Sequence, residues 1–521
     1  MLPKIPSFEE VNYTDFKVNR YTRAVNICQA EESAFDAYCH LLEESGFTYL
    51  EGRNERTFRY GAYRKGMCGV FINYFRNLRE LNITIDENCN YFDYENKPGA
   101  PCVSTQITQL YLVEFGMSYV IRLSDGRFII IDGGADHDQD VEALMKCLKK
   151  STPHEKPVIA AWILTHMHLD HYYCMIEFLD RYSQDVKIEG VFLNFPEGEA
   201  FEHFPELIKV RENPLNQPAA RLERLIKHIV DLQLPCYAPH CGQTYHIGEA
   251  SCEILSCTDI TMHQDVRINP TSIAMRMELA GQVIMWMGDL YIASTHFHER
   301  YEDYLKADIL QLPHHGFGIG KLPPAIPCFD YVAPKVCLMP VSYEIGYSNF
   351  SAHNIHIRHA ILNLGIEELI VGEPQRTITM PYKAPFWAKE ELLRNYRYGM
   401  QSSGASVWFF GELNTAREED FEFSFANMTY RPTEVNCEMF FHEKKDVVRN
   451  FKLEIPGNTY QKKHILLRDV IDENGETVTE NVLGERVLPE NATFCVRFKC
   501  NHPIVITHAS HKADYHTTDV I

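Results

Sequence analysis

Seven apolar residues in succession, Val158-Ile159-Ala160-Ala161-Trp162-Ile163-Leu164, run directly into Thr165-His166-Met167-His168-Leu169-Asp170-His171. A run of that length and composition reads as a buried strand, and ordinary core packing does not call for imidazoles and carboxylates crowded at its end. An extended segment alternates its side chains, so His166 and His168 can point the same way from the strand end. Where the chain turns toward a helix, the adjacent Asp170 and His171 can face a second point nearby. One short loop can therefore serve two metal ions.

Imidazole and carboxylate ligands together suit zinc, with manganese or iron as alternatives, and such a site lowers the pKa of a bound water to about 7. The implied chemistry is hydrolysis. The competing reading is a polar loop whose histidines cap a helix or satisfy backbone groups. The H-x-H-x-D-H spacing after a buried strand weighs against it.

The tetrad resembles the signature of the metallo-β-lactamase superfamily, and other segments agree in order. Upstream, Tyr119 to Leu123, the turn Ser124-Asp125-Gly126 and Phe128 to Ile131 read as a hairpin ending in Asp132-Gly133-Gly134. The resemblance implies that Asp132 supports the metal-binding loop from outside the ligand set, with Gly133 allowing close backbone approach. Downstream, strands over Ser272 to Leu279 and Val283 to Met287 lead to Gly288-Asp289, and the family likeness makes Asp289 the carboxylate shared by two metals. A strand over Ala307 to Leu312 then ends in Pro313-His314-His315-Gly316. This element is similar to one branch, the cytosolic hydrolase domain of bacterial DNA-uptake channel proteins and their soluble relatives. Asn269-Pro270-Thr271-Ser272, Tyr347-Ser348, and His353 opening a helix from Ile355 to Leu364 agree with that branch. His353 is expected to support the ligands.

The resemblance covers about residues 105 to 385 and implies two divalent cations. His166 and His168 are expected on one, Asp170, His171 and His314 on the other, and Asp289 between them. A metal-bridging hydroxide would attack, with Asp170 orienting it and His315 acting as a supporting group or proton donor. The branch points to a phosphodiester substrate. A carboxylic ester, lactone, amide or thioester is the alternative for the same site, and a non-catalytic binding protein on this fold is the alternative from another class. Diiron redox chemistry is less favoured, because those relatives carry glutamate where His168 stands. Two departures stand out. Many relatives supply one more histidine to the first metal, and here only Asp259, His263 and His240 are candidates. Tyr172-Tyr173 replaces a common Gly-Gly, and packing beneath the loop is their expected role.

At 521 residues the chain exceeds one compact core. The expected fold is α/β: a four-layer αββα metallo-β-lactamase sandwich over 105–385, a small α+β N-terminal domain and linker over 1–100, and a β-rich C-terminal domain over 404–521. In the first, Glu31 to Ser45 reads as an amphipathic helix against strands over Thr57 to Tyr63, Cys68 to Tyr74 and Leu81 to Ile85. Helices are expected at Pro218 to Leu232 and Ala293 to Leu305. In the last, strands are expected at 406–410, 421–425, 437–441, 482–487, 493–498 and 504–506; His502, His508, His511 and His516 lack metal-site spacing. The net charge of −21 disfavours extended nucleic-acid binding. Sixteen cysteines without C-x-x-C pairs, and no secretion signal or membrane-length apolar run, read as a cytoplasmic protein of a reducing compartment with no membrane partner.

Overall fold

Along Glu80–Asp86 the strand period of two places Leu81, Ile83 and Ile85 on one face and Glu80, Asn82, Thr84 and Asp86 on the other, and every one of these residues is buried. A strand with an apolar and a polar face, both enclosed, needs two different partners. The computed structural model describes residues 13–113, 116–198, 200, 204, 218–317, 326–341, 364–372, 375–389, 392, 405–415, 420–427, 432–442, 448–457, 459–466, 488, 491–512 and 515–517. In it six antiparallel strands, β1 (Tyr13–Lys17), β2 (Thr22–Ile27), β3 (Thr48–Asn54), β4 (Phe58–Lys65), β5 (Cys68–Phe75) and β6 (Glu80–Asp86), pair in the order β1-β2-β6-β5-β4-β3. Helix α1 (Glu32–Glu44) lays Phe35, Tyr38 and Leu42 on the apolar face, against Val25, Ile27, Val70, Ile72, Ile83 and Ile85.

The polar face meets the rest of the chain through specific bonds. Glu80 pairs with the fully buried Arg300 at 2.8 Å, Thr84 donates to Asp259 Oδ2 at 2.8 Å, and Asn73 donates to the Cys241 carbonyl at 3.0 Å. His240 lies between Asp86, 3.3 Å from Nε2, and Asp259, 3.5 Å from Nδ1. Pairings between buried polar groups offset the cost of their burial and make this sheet part of a common interior. The segment expected as a linker is fastened too: Asn96 exchanges two hydrogen bonds with the Gly248 backbone, at 2.9 and 2.8 Å. Among the described residues, 13–341 with 364–389 form one compact unit, and 392–517 a second.

Two further sheets complete the first unit. One contains β7 (Gln106–Gln109), β8 (Ser118–Arg122), β9 (Phe128–Asp132), β10 (Val158–Ile163), β11 (Lys187–Ile188), β12 (Val191–Phe192), β13 (Cys236–Tyr237) and β21 (Arg376–Thr379), in the order β13-β12-β10-β9-β8-β7-β21 with β11 beside β10. The other runs β14 (Thr244–Ile247), β15 (Ala250–Ser256), β16 (Ala274–Leu279), β17 (Gln282–Trp286), β18 (Ile309–Gln311), β19 (Val336–Met339), β20 (Glu368–Val371). Each sheet is antiparallel at one end and parallel at the other, and they face each other where Tyr119 and Trp286 meet edge-on at 4.9 Å. Helices α2 (Asp138–Ser151), α3 (Leu169–Tyr182) and α4 (Pro218–Asp231) accompany the first of these sheets. Their apolar residues, with Phe128, Ile130, Ile159 and Trp162, make one core. The fold is thus mixed α/β.

The helix expected over Ala293 to Leu305 is only Phe297–Tyr301 followed by a 3₁₀ turn, Glu302–Leu305, because His296 and Glu302 take positive φ angles of 50° and 46° that end a helix. Among the described residues the second unit contains seven strands, including 448–455 and 459–466, which were not anticipated. Residues 493–498 and 504–506 belong to one strand, Thr493–Lys512, rather than two. The strand expected over 482–487, Tyr347-Ser348, and His353 with its helix lie outside the described residues. Among the described residues no helix is long and apolar enough to cross a membrane.

Candidate metal centre

Strands β9, β10, β17 and β18 all end toward one place, and each delivers a polar group there. Register pairs Ile131 with Ile163, so Asp132 and Thr165 leave neighbouring strand ends together. Parallel strands present their carboxyl ends on one edge, where a rigid sheet can hold ligands at fixed spacing.

Asp132 is fully buried and accepts from the Thr165 amide at 2.7 Å, the Thr165 hydroxyl at 2.8 Å and His171 Nδ1 at 2.8 Å. The turn after it approaches α3 so closely that a side chain at Gly133 would begin 3.2 Å from Cys174 Cβ, and the Gly133 amide donates to the His171 carbonyl at 2.8 Å. On the facing sheet, Gly288 has φ 52° and lies where an added Cβ would stand 3.0 Å from Ser272 and 3.1 Å from Thr165. The Ser272 hydroxyl then accepts from the Asp289 amide at 3.0 Å, and Gln311 accepts from the Met287 amide while donating to the Gly288 carbonyl.

These supports assemble two adjoining groups of potential ligands. His166, His168 and Asp289 form one and Asp170, His171 and His315 the other, with one ligand atom per residue and the atoms of each group within 4.8 Å of one another. Asp289 Oδ2 stands between them, 3.8 Å from His166 Nε2, 3.2 Å from His171 Nε2 and 3.4 Å from His315 Nε2. Asp170 Oδ2 lies 3.2 Å from His315 Nε2 and 3.7 Å from His171 Nε2.

It is His315, not His314, that joins Asp170 and His171. Both residues have left-handed φ angles, 52° and 53°, before Gly316 at 78°, and this coil aims successive side chains differently. His314 Nδ1 donates to the Phe317 carbonyl at 3.3 Å, and its ring lies edge-on to Tyr291 at 5.3 Å. The candidates for a further ligand of the first position are also placed elsewhere. His240 and Asp259 bind the N-terminal sheet, and His263 lies 3.6 Å from Glu80. Tyr172 and Tyr173 are buried in the core, edge to face at 4.7 Å.

The residues fit a cation. His171 Nε2, His315 Nε2 and Asp289 Oδ1 are buried without hydrogen-bond partners, an arrangement that a metal ion satisfies. Charge is concentrated accordingly. Against the cost of burial, Asp289, Asp170 and Asp132 hold His171 well above the ordinary imidazole range, and Asp289 and Asp170 hold His315 at about 9. Against the same cost, His171 and His315 keep Asp289 well below the ordinary carboxylate range. Burial, with His171 nearby, pushes His166 far down.

A cavity of about 670 Å³ opens over both groups, its other walls formed by Ala135, Leu169, Asn269, Tyr291, His314 and Phe317. Asn269 donates to the Tyr291 hydroxyl at 2.8 Å, and the Arg267 guanidinium lies 4.4 Å from the Tyr291 ring centre. Sequence reasoning assigned no role to Thr165, Gln311 or Tyr291. A polar residue inside the apolar strand Ile309-Leu310-Gln311-Leu312 was the available signal for Gln311.

Residues 112–250 match the family model of the Metallo-beta-lactamase superfamily, which includes dinuclear metal hydrolases and diiron proteins. No curated protein matches the chain. Similar solved structures include CmlA, a diiron β-hydroxylase from Streptomyces venezuelae, at 12% identity over 64% of this chain and 75% of that one, with a TM-score of 0.35. A β-lactamase domain protein from Burkholderia ambifaria is 12% identical over 46% of this chain and 63% of that one, with a TM-score of 0.24. The flavodiiron protein from Giardia intestinalis is 11% identical over 58% and 57%, with a TM-score of 0.22.

Proposed function

We propose that this chain, which carries a metallo-β-lactamase superfamily domain, is a dinuclear metal-dependent hydrolase built on a four-layer αββα sandwich, acting on a phosphodiester in the cytoplasm. The observation that carries the reading is the pair of ligand groups meeting at Asp289 beneath one open cavity. His166 and His168 would hold one cation, Asp170, His171 and His315 the other, and Asp289 both. Bound there, two divalent cations supply Lewis acidity and a water-derived nucleophile at neutral pH.

The chain's own residues do the rest. Asp132 keeps the proton of His171 on Nδ1, so that Nε2 is available as a ligand. Asp170 offers its carboxylate beside His315 to orient the attacking water. His314, with its Nδ1 proton committed to the Phe317 carbonyl, keeps Nε2 as an acceptor at the pocket wall. Tyr291 and Phe317 give aromatic surface on which the organic part of a substrate can rest.

The phosphodiester draws on the likeness of Pro313-His314-His315-Gly316 to the DNA-uptake branch. Hydrolysis of a carboxylic ester, lactone, amide or thioester is a second reading with its own support: among the described residues no lysine or arginine lines the cavity, which suits a neutral substrate. Sixteen unpaired cysteines support a reducing compartment. The test is hydrolysis of bis(p-nitrophenyl) phosphate and of p-nitrophenyl and thioester acyl compounds by metal-loaded protein, with Asp289→Ala as the control. Phosphodiester turnover lost in the variant supports the first reading. Acyl turnover alone moves the protein to the second, and no turnover by metal-loaded protein overturns both.

A further inference from the structure

We infer that the two cation positions are unequal: the one enclosed by Asp170, His171, His315 and Asp289 binds tightly, while the one at His166 and His168 is exchangeable and is completed by substrate. This rests on the dinuclear reading above, and the test separates the two.

Ligand supply is the first reason. Apart from the shared Asp289, one position has a carboxylate and two imidazoles and the other has two imidazoles. Asp289 Oδ2 also stands closer to His171 and His315, at 3.2 and 3.4 Å, than to His166, at 3.8 Å. Among the described residues no other histidine, cysteine or carboxylate is grouped with His166 and His168. His240 and Asp259, with suitable chemistry, are consumed by the contact with the N-terminal sheet.

Readiness is the second. Around the tight position the Asp289 and Asp170 carboxylates already stand 3.2 to 3.7 Å from His171 Nε2 and His315 Nε2, so a cation there finds two carboxylates and two imidazoles converged on it. At the other position His166 Nε2 is closed against His168 Nδ1 at 3.1 Å, a contact that a cation must break. Support differs in kind as well, since His171 is braced by the Asp132 carboxylate at 2.8 Å and His166 by the Thr165 hydroxyl at 3.1 Å. A carboxylate makes an imidazole the better ligand.

An incompletely ligated cation takes the remaining donors from water or substrate. Cation and an oxyanion then bind cooperatively there, each raising the affinity of the other by the same factor. Chelator-stripped full-length protein is titrated with Mn²⁺, reading free Mn²⁺ by electron paramagnetic resonance, with and without inorganic phosphate. Two binding events separated by about tenfold or more are expected, with phosphate tightening only the weaker. His168→Ala removes the weaker event. His315→Ala, and Asp170→Asn with its nearly unchanged side-chain shape, remove or weaken the tighter one in protein whose circular dichroism is intact. Two events of one affinity, or loss of the tighter event in His168→Ala, overturns the inference alone. No binding by folded wild-type protein overturns the dinuclear reading beneath it.

Discussion

Asp132 Oδ2 accepts a hydrogen bond from His171 Nδ1 at 2.8 Å, and the opposite ring nitrogen of His171 thereby faces Asp289 Oδ2 at 3.2 Å. Asp132→Asn inverts that logic. An amide NH₂ turned toward Nδ1 draws the proton to Nε2 and removes the lone pair a cation needs. Metal affinity should fall about 10- to 100-fold. Elemental analysis after dialysis checks this, and full metal content in the variant would show that Asp132 does not set the tautomer.

The left-handed pair His314-His315 sends two adjacent imidazoles to different surroundings. His315→Ala should strip metal from the centre. His314→Gly should retain it and gain up to about 1 kcal/mol of stability, since glycine adopts φ near 52° without the strain a side chain incurs. Metal content and the thermal midpoint of the two variants decide, and equal metal loss in both would contradict the assignment.

A pH dependence of stability follows from His240. Against its burial, Asp259 and Asp86 hold its imidazolium at about 9, above the ordinary value of 6.5. The folded state therefore binds a proton that the unfolded chain releases sooner. Stability from this group is fully present below about pH 6.5 and is lost as pH rises through about 9, amounting to at most about 3 kcal/mol. Urea midpoints of wild type and His240→Gln, measured from pH 6 to 9.5, should converge as the wild type loses this contribution. Parallel curves would contradict it.

Removing the N-terminal sheet should cost the fold of the two sheets that carry the candidate metal centre. A chain beginning at residue 105 would expose Tyr301, Asp259 and His240 and leave Arg300 without the Glu80 carboxylate. In the full chain, Arg300→Ala alone should cost about 3–5 kcal/mol, because it strands a buried carboxylate. Cooperative unfolding and normal metal uptake by the truncated chain would show that the sheet is dispensable.

What was legible in advance was chemistry contiguous along the chain. His166, His168, Asp170 and His171 fall within six successive positions where a strand passes into helix α3, so nearness in sequence ensured nearness in space, and the strand before them stated its burial by composition. Asp289 was legible because a hairpin pattern ends on it. The N-terminal helix and three of its strands were readable from their apolar periodicities. The exposed strand Thr48–Asn54 has no such contrast and was not.

Other assignments waited for the tertiary structure. His314 and His315 are chemically identical neighbours. Which one enters the centre depends on backbone angles fixed by the His314 amide donating to the Gly288 carbonyl at 3.1 Å and by the packing of Gly316 against Met339. His240 and Asp259 carry ligand chemistry, yet their role is set by Thr84 and Asp86 on a strand far earlier in the chain. The sequence by itself determined the metal-ligand chemistry and the strand-ended loops that hold it, because both are local. Which polar groups face the cations and which join the N-terminal sheet to the core was decided only by the tertiary structure, because the pairing of buried charges depends on distances that no local pattern encodes.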